Sequence, residues 1–223
     1  MAFNKPTTIT SWSYSRYSTY EACPAKAKYK FIDKLPEPGS PAMERGNAIH
    51  KLAERYTKGE LGKLPTELKL FSDQFKTLKN SKPVVEETWA FTKDWEKTTW
   101  NDWNGCAVRI KTDAYCRDGN TLYVIDHKTG KQRDGYEAQL SLYALGAMYN
   151  FPDIKTVSTQ LWYLDQGGDP VTMDYGIADF SKLKKDWDRR TKPMLNDTRF
   201  APNPGNACRW CTFSKSKGGP CKF

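Results

Sequence analysis

Apolar and polar positions alternate most regularly between Val108 and Lys128. Strand side chains point to opposite faces in turn, so this stretch reads as two strands joined by the tight turn Arg117-Asp118-Gly119-Asn120. In the second strand Leu122, Val124, Asp126 and Lys128 share one face, and Tyr123, Ile125 and His127 the other. In the first, Arg109, Lys111, Asp113 and Tyr115 line up together, leaving Val108, Ile110, Ala114 and Cys116 to pack against a helix layer. Pairing of the two strands then gathers Asp113, Asp126 and Lys128 at one end of an apolar strand.

The rest of the chain alternates between the two periods. Residues Ser11 to Ser15 offer N-caps for a helix that bends at Cys23-Pro24 and runs on to Ile32. Pro41 suits the first position of the next helix, in which Gly46 and His50 lie one turn apart on a face that Ala53 continues. Between Leu61 and Pro83 a polar loop precedes a helix with Leu68, Phe71, Phe75 and Leu78 at helical spacing. Val84 to Phe91 reads as a strand with Val85, Glu87, Trp89 and Phe91 on one face, followed by a polar, turn-rich link holding Trp95, Trp100 and Trp103. From Asp134 to Tyr149 a helix carries the stripe Ala138, Leu142, Leu145 and Met148, with Gln139 and Tyr143 beside it. Strands at Thr156 to Leu164 and Pro170 to Tyr175 and a basic helix from Asp179 to about Leu195 complete an α/β pattern.

The totals narrow the function classes. A chain of 223 residues and 25.6 kDa is one domain, or a core with a small appended lobe. No apolar run reaches membrane-spanning length, and Met1 to Thr10 lacks the pattern of a secretion signal, so the expectation is a cytoplasmic protein without a membrane partner. The net charge of +9 points to a polyanionic partner. Residues 1–35 carry a net +4 and residues 182–223 a net +8, so the terminal segments are basic and the middle slightly acidic, as suits a metal-binding centre between phosphate-gripping ends.

Two carboxylates held together in an apolar setting need a shared cation, and hard oxygen ligands select Mg²⁺ or Mn²⁺. A lysine two residues after the second carboxylate can assist an attacking water or neutralise charge developing on a phosphate. The competing reading of such an Asp-x-Lys triplet is a pair of solvated salt bridges on a surface hairpin. His50 likewise reads as a metal ligand or a structural helix residue, Gln139 and Tyr143 as site residues or helix-surface polarity, and Glu87 as a further ligand or a solvated strand residue. Trp12, Tyr14, Tyr17, Tyr20 and Tyr29 could stack bases or pack their helix onto the core.

Taken in order, Gly46 to His50, Asp113, Asp126-His127-Lys128-Thr129-Gly130, Gln139 and Tyr143 resemble the successive motifs of the RecB-type nucleases of the PD-(D/E)XK superfamily. The match spans nearly the whole chain. The resemblance implies a restriction-endonuclease-like core, a mixed central sheet flanked by helices, over 36–181. It implies metal ligation by His50, Asp113, Asp126 and the His127 carbonyl, a catalytic Lys128, and Gln139 and Tyr143 positioning substrate or lysine.

Six cysteines in such a chain argue against a disulfide framework. Cys106 and Cys116 read as small core residues, whereas Cys208, Cys211 and Cys221 form a metal-ligand pattern lacking its fourth member, for which Cys23 is the candidate. Four thiolates suit a [4Fe-4S] cluster or a structural Zn²⁺, and spacing alone leaves both open. One ligand upstream and three near the C-terminus resembles the iron-sulfur branch of the family, similar to the CRISPR-associated RecB-like exonucleases, the AddB nuclease domain and phage exonucleases. A cysteine-clamped helical lobe of 1–35 and 182–223 is therefore expected. Its clamp would close a loop of about 185 residues, worth roughly 5 kcal/mol by the entropy model for cross-links.

The expected activity is metal-dependent cleavage of DNA, exonucleolytic and favouring single strands or ends, in recombination, repair or phage replication. The alternatives are a non-cleaving nucleic-acid-binding module and a nuclease subunit of a larger helicase, recombination or CRISPR adaptation complex. The chain has no G-x-x-x-x-G-K-[ST] phosphate loop, so any motor would be a separate partner protein.

Overall fold

The computed structural model describes residues 7–132 and 134–223. The first six residues of the segment read for a secretion signal lie outside the described residues. The chain forms two compact units, one of Met1–Gly39 with Asp186–Phe223 and the other of Ser40–Lys185. Among the described residues no helix is long and apolar enough to cross a membrane.

The larger unit holds a five-stranded sheet in the order β1 (Val84–Val85), β5 (Ala114–Asp118), β6 (Thr121–Lys128), β7 (Thr156–Tyr163), β8 (Val171–Gly176). Strands β6 and β7 run parallel and the other neighbours antiparallel, which makes the sheet mixed. A parallel pair needs a crossover, and α5 (Tyr136–Asn150) supplies it. Central β6 is covered on both sides, so Leu122, Val124, Ile125, Asp126 and His127 are all buried. Leu122, Val124 and Asp126 belong to the α5 side. Ile125 and Ala114 pack instead in a core cluster with Ile49, Ala53 and Tyr56 of α3 (Pro41–Thr57) and Phe75 and Leu78 of α4 (Ser72–Asn80). The helical spacing of Leu68, Phe71, Phe75 and Leu78 is realised as a 3₁₀ turn over Thr66–Phe71 running into α4, with all four side chains buried.

A second sheet orders β3 (Lys97–Thr98), β2 (Thr88–Phe91) and β4 (Val108–Lys111). The sequence expectation of unbroken strands over Val84–Phe91 and Val108–Cys116 is corrected here. Both strands pass from one sheet to the other, breaking side by side at Glu86-Glu87 and Thr112-Asp113, where Glu86 N–H donates to the Asp113 carbonyl at 2.9 Å and Thr112 N–H to the Glu87 carbonyl at 3.0 Å. Glu86 takes a left-handed φ of 59° to make the step. The break moves the alternation by one residue. Ile110 packs near Gly146 of α5, and Tyr115 joins the same layer through Trp89 (5.6 Å) and Phe151 (5.4 Å), while Ala114 turns to the α3 side. Val108 and Ile110 thus do not share a face with Ala114 and Cys116, and Cys116 is only half-buried.

The smaller unit begins with α1 (Tyr14–Ala22), capped by Ser13, whose hydroxyl accepts from Arg16 N–H. The expected bend at Cys23 separates it from α2 (Pro24–Ala27) and a π-helical turn to Ile32. Helix α6 (Phe180–Asn196) supplies Trp187, which stacks on Trp12 at 5.4 Å and meets Tyr17 edge-on at 5.2 Å. Trp12 and Tyr17 are therefore packing residues.

Candidate active site

Helix α3 starts with Ser40 as N-cap and Pro41 at its first position. A Cβ on Gly46 would stand 3.1 Å from Thr129 Oγ1, so the glycine lets the helix lie against the end of β6. One turn on, His50 Nδ1 lies 3.4 Å from Asp113 Oδ2. The same oxygen accepts the His127 peptide N–H at 2.7 Å. Asp113 occupies the break between the sheets, outside the ladder of either strand, which frees its carboxylate to turn towards the helix. A cavity of about 450 Å³ opens beside it, lined by Gly46, His50, Glu54, Glu86, Lys111 and Thr129 among others.

Asp126 does not line that cavity and is 6% exposed. Its Oδ1 accepts hydrogen bonds from Gln139 Nε2 at 3.0 Å and from the Tyr143 hydroxyl. Lys128 Nζ stands 2.6 Å from Oδ2, so a cation already faces the second oxygen of this buried carboxylate. The four-residue spacing of Gln139 and Tyr143 places both over the same carboxylate, and they bond each other at 2.9 Å.

The electrostatics separate the two carboxylates. Burial pushes Asp113 up, but the hydrogen bond to His50, the two imidazoles in the protonated form they take at low pH and the His127 peptide N–H outweigh it, and the group falls to about 2. Asp126 is raised, first by burial and then by the negative charge of Asp113, against the opposing pull of Lys128. His50 is raised by its hydrogen bond to Asp113. His127 is lowered to about 4 by burial, and its ring packs against Phe75 at 5.2 Å and Trp162 at 5.4 Å. The His127 side chain is thus a neutral core ring, and its peptide group alone faces the carboxylates.

The structure therefore joins His50, Asp113 and the His127 peptide in one set, and Asp126, Lys128, Gln139 and Tyr143 in another, coupled through the repulsion between the two carboxylates. Three residues not singled out by the sequence complete the surroundings. Arg45 holds Asp165 through two bonds of 2.8 and 2.5 Å, and Asp165 accepts Gly130 N–H at 2.6 Å, which fixes the turn after Lys128. Glu86, and not Glu87, lines the cavity, paired with Lys111. Glu87 acts on Tyr115, whose hydroxyl it helps to raise after burial. The G-x-x-x-H spacing could have pointed to Arg45 as the neighbour of Gly46; nothing local marks Asp165.

The smaller unit gathers Cys23, Cys208, Cys211 and Cys221 around a cavity of about 210 Å³. Asn203 N–H and Gly205 N–H donate to Cys23 Sγ and Cys208 Sγ, each at 3.4 Å. The long gap between Cys211 and Cys221 is taken up by a turn in which Gly219 N–H bonds the Ser214 carbonyl at 2.9 Å and Cys221 N–H the Phe213 carbonyl at 3.0 Å. None of the six cysteines is in a disulfide, and among the described residues no three or more His, Cys, Asp or Glu side chains close into a metal-holding group.

A mixed sheet flanked by helices, with Asp113, Asp126 and Lys128 grouped at the end of its central strand, defines an α/β core of the restriction-endonuclease type. The chain belongs to the PD-(D/E)XK nuclease superfamily, whose family model matches residues 11–216. Among solved structures it is similar to SSO0001, at 16% identity and a TM-score of 0.50 over 96% of this chain and 88% of that one. It is also similar to a protein of Eubacterium rectale described as a candidate exonuclease, at 11% identity and a TM-score of 0.53 over 94% of this chain and 90% of the other. At these identities the likeness is one of fold. The superfamily uses divalent metal ions, and the chemistry of the residues present suits one, with the imidazole of His50 and the carboxylates of Asp113 and Asp126, although among the described residues no three such side chains close into a ready-made metal group.

Proposed function

We propose that the protein is a divalent-metal-dependent deoxyribonuclease that degrades DNA from ends or along single strands. The observation that carries this reading is the Asp126–Lys128 ion pair at the end of a buried strand, one carboxylate away from an open cavity that holds His50 and Asp113. Asp113, Asp126, His50 and the His127 carbonyl would hold Mg²⁺ or Mn²⁺. A bound divalent ion supplies Lewis-acid stabilisation of charge on the phosphate. Lys128 orients the attacking water and offsets the charge that develops on the phosphoryl oxygens, while Gln139 and Tyr143 hold the Asp126 carboxylate in one rotamer. Arg45 and Asp165 keep the turn after Lys128 in register with α3.

The cysteine cavity is read as the seat of a [4Fe-4S] cluster or, alternatively, Zn²⁺. Its support is that the four cysteines line one cavity and that two of them accept N–H···S contacts of the kind that stabilise thiolate ligands.

End-labelled single-stranded and duplex DNA, incubated with Mg²⁺, Mn²⁺ or EDTA, tests the activity. Metal-dependent degradation should be lost at least ~100-fold in Lys128→Ala. Equal activity in EDTA, or undiminished activity in the variant, removes the reading. The product ladder distinguishes attack from ends from internal cleavage.

A further inference from the structure

Strand β4 has one buried face, Val108 and Ile110, and one outward face, Arg109 and Lys111. Lys111 belongs to the wall of the catalytic cavity. Arg109 follows about 7 Å back along the strand, two residues at the strand rise. Its guanidinium donates to the Trp100 carbonyl at 3.0 Å and lies 5.5 Å from the Trp100 ring centre. Opposite Arg109 on β2 stands Ala90, too short to rise above the row.

Beyond Trp100 the chain presents Trp103 at 86% exposure. The loop that carries it is built. Asp102 accepts from the Thr98 hydroxyl at 2.7 Å and from Gly105 N–H at 2.8 Å, and a Cβ on Gly105 would strike the Asp102 carboxylate at 2.3 Å. An indole held out by a fixed loop is apolar surface that folding leaves in water, and the loop that carries it is the one Arg109 holds through Trp100.

We infer that this row is a track for a single strand of nucleic acid, resting on the nuclease reading of the cavity. Lys111, exchanging its Glu86 partner for phosphate, and Arg109 take successive backbone phosphates next to the bond to be cut, and Trp103 stacks a base that follows. The cations suit a polyanion, and an indole beside a run of phosphates finds base faces all along a single strand, where a duplex offers them only at its ends, so the occupant is a single strand. Lys111 is shared by cavity and track, which makes the two surfaces continuous.

Equilibrium binding of fluorescein-labelled oligothymidylates in EDTA tests the track, with a short oligomer that reaches only the cavity, a long one, and a blunt duplex. Trp103→Ala should weaken the long oligomer about 5- to 150-fold, the range for one stacked base, and leave the other two probes unchanged, with Trp103→Phe restoring most of the loss. In cleavage assays KM should rise while kcat holds. Unchanged binding of the long oligomer, or equal losses for all three probes, overturns the proposal. The two readings fail separately. A wild-type protein that cleaves nothing yet shows this length dependence keeps the track and loses the nuclease; one that cleaves normally with an indifferent Trp103→Ala does the reverse.

Discussion

A carboxylate at the exposure of Asp126 persists only if donors surround it, and three side chains reach it: Gln139, Tyr143 and Lys128. Tyr143→Phe deletes one donor without opening a cavity, so it should cost about 1–3 kcal/mol in urea unfolding and raise Asp126 further. The His50–Asp113 pair sets a pH window in metal-free protein. His50 is raised, so its share is complete below the ordinary imidazole value of about 6.5 and fades as pH climbs through the folded value. Asp113 sits at about 2, so its share is present above the ordinary carboxyl value and fades as pH falls through about 2. Unfolding in EDTA should show the largest penalty for His50→Ala between pH about 4 and about 6.5, shrinking above it. A penalty that stays constant to pH about 8.5 would mean the pair is not ionic. These residues were legible because one face of a strand and one face of a helix are set by spacing. Asp165 was not, since its role depends on Arg45, 120 positions away.

Elements bring the site together by approaching closely or by breaking. The two-strand break at Glu86 and Asp113 cannot be read from alternation, because the pattern on either side of it is regular and only the one-residue slip betrays it. Gly46 settles how near α3 lies to β6. Gly219 does the same for the C-terminal turn, where an added Cβ would fall 2.3 Å from the Phe213 carbonyl carbon. Backbone cannot yield as a side-chain tip can. Gly219→Ala should therefore lower stability by about 1–3 kcal/mol in thermal unfolding and speed the reaction of the Cys221 thiol with a disulfide reagent. Wild-type thiol kinetics in the variant would show that the turn is not what positions Cys221.

For the molecule as a whole, the charge and the cysteines make separate demands. A chain of net charge +9 that grips phosphates releases counterions, so DNA affinity should fall linearly in log–log form with salt. Arg109→Ala should shallow that slope by about one. If Cys23, Cys208, Cys211 and Cys221 hold a metal, anaerobically purified protein should contain it stoichiometrically, and Cys208→Ser should lower both the metal content and the melting temperature. A metal-free wild-type protein with an unchanged melting temperature in the variant would make the four thiols ordinary packing residues. The basic helix expected to grip phosphate spends part of its charge internally, since Arg189 and Arg190 both bond Asp186.

Spacing alone determined which side chains share a face: Asp126 with Lys128, Gly46 with His50, Gln139 with Tyr143, because helix and strand periods are local properties of the backbone. Tertiary structure decided the rest. It turned Asp113 towards His50 by breaking a strand, put Glu86 and not Glu87 at the cavity, made the His127 ring a core residue, and left Trp103 in solvent while burying Trp95. Each of these depends on which distant segment packs against the residue, and that information is spread over the whole chain.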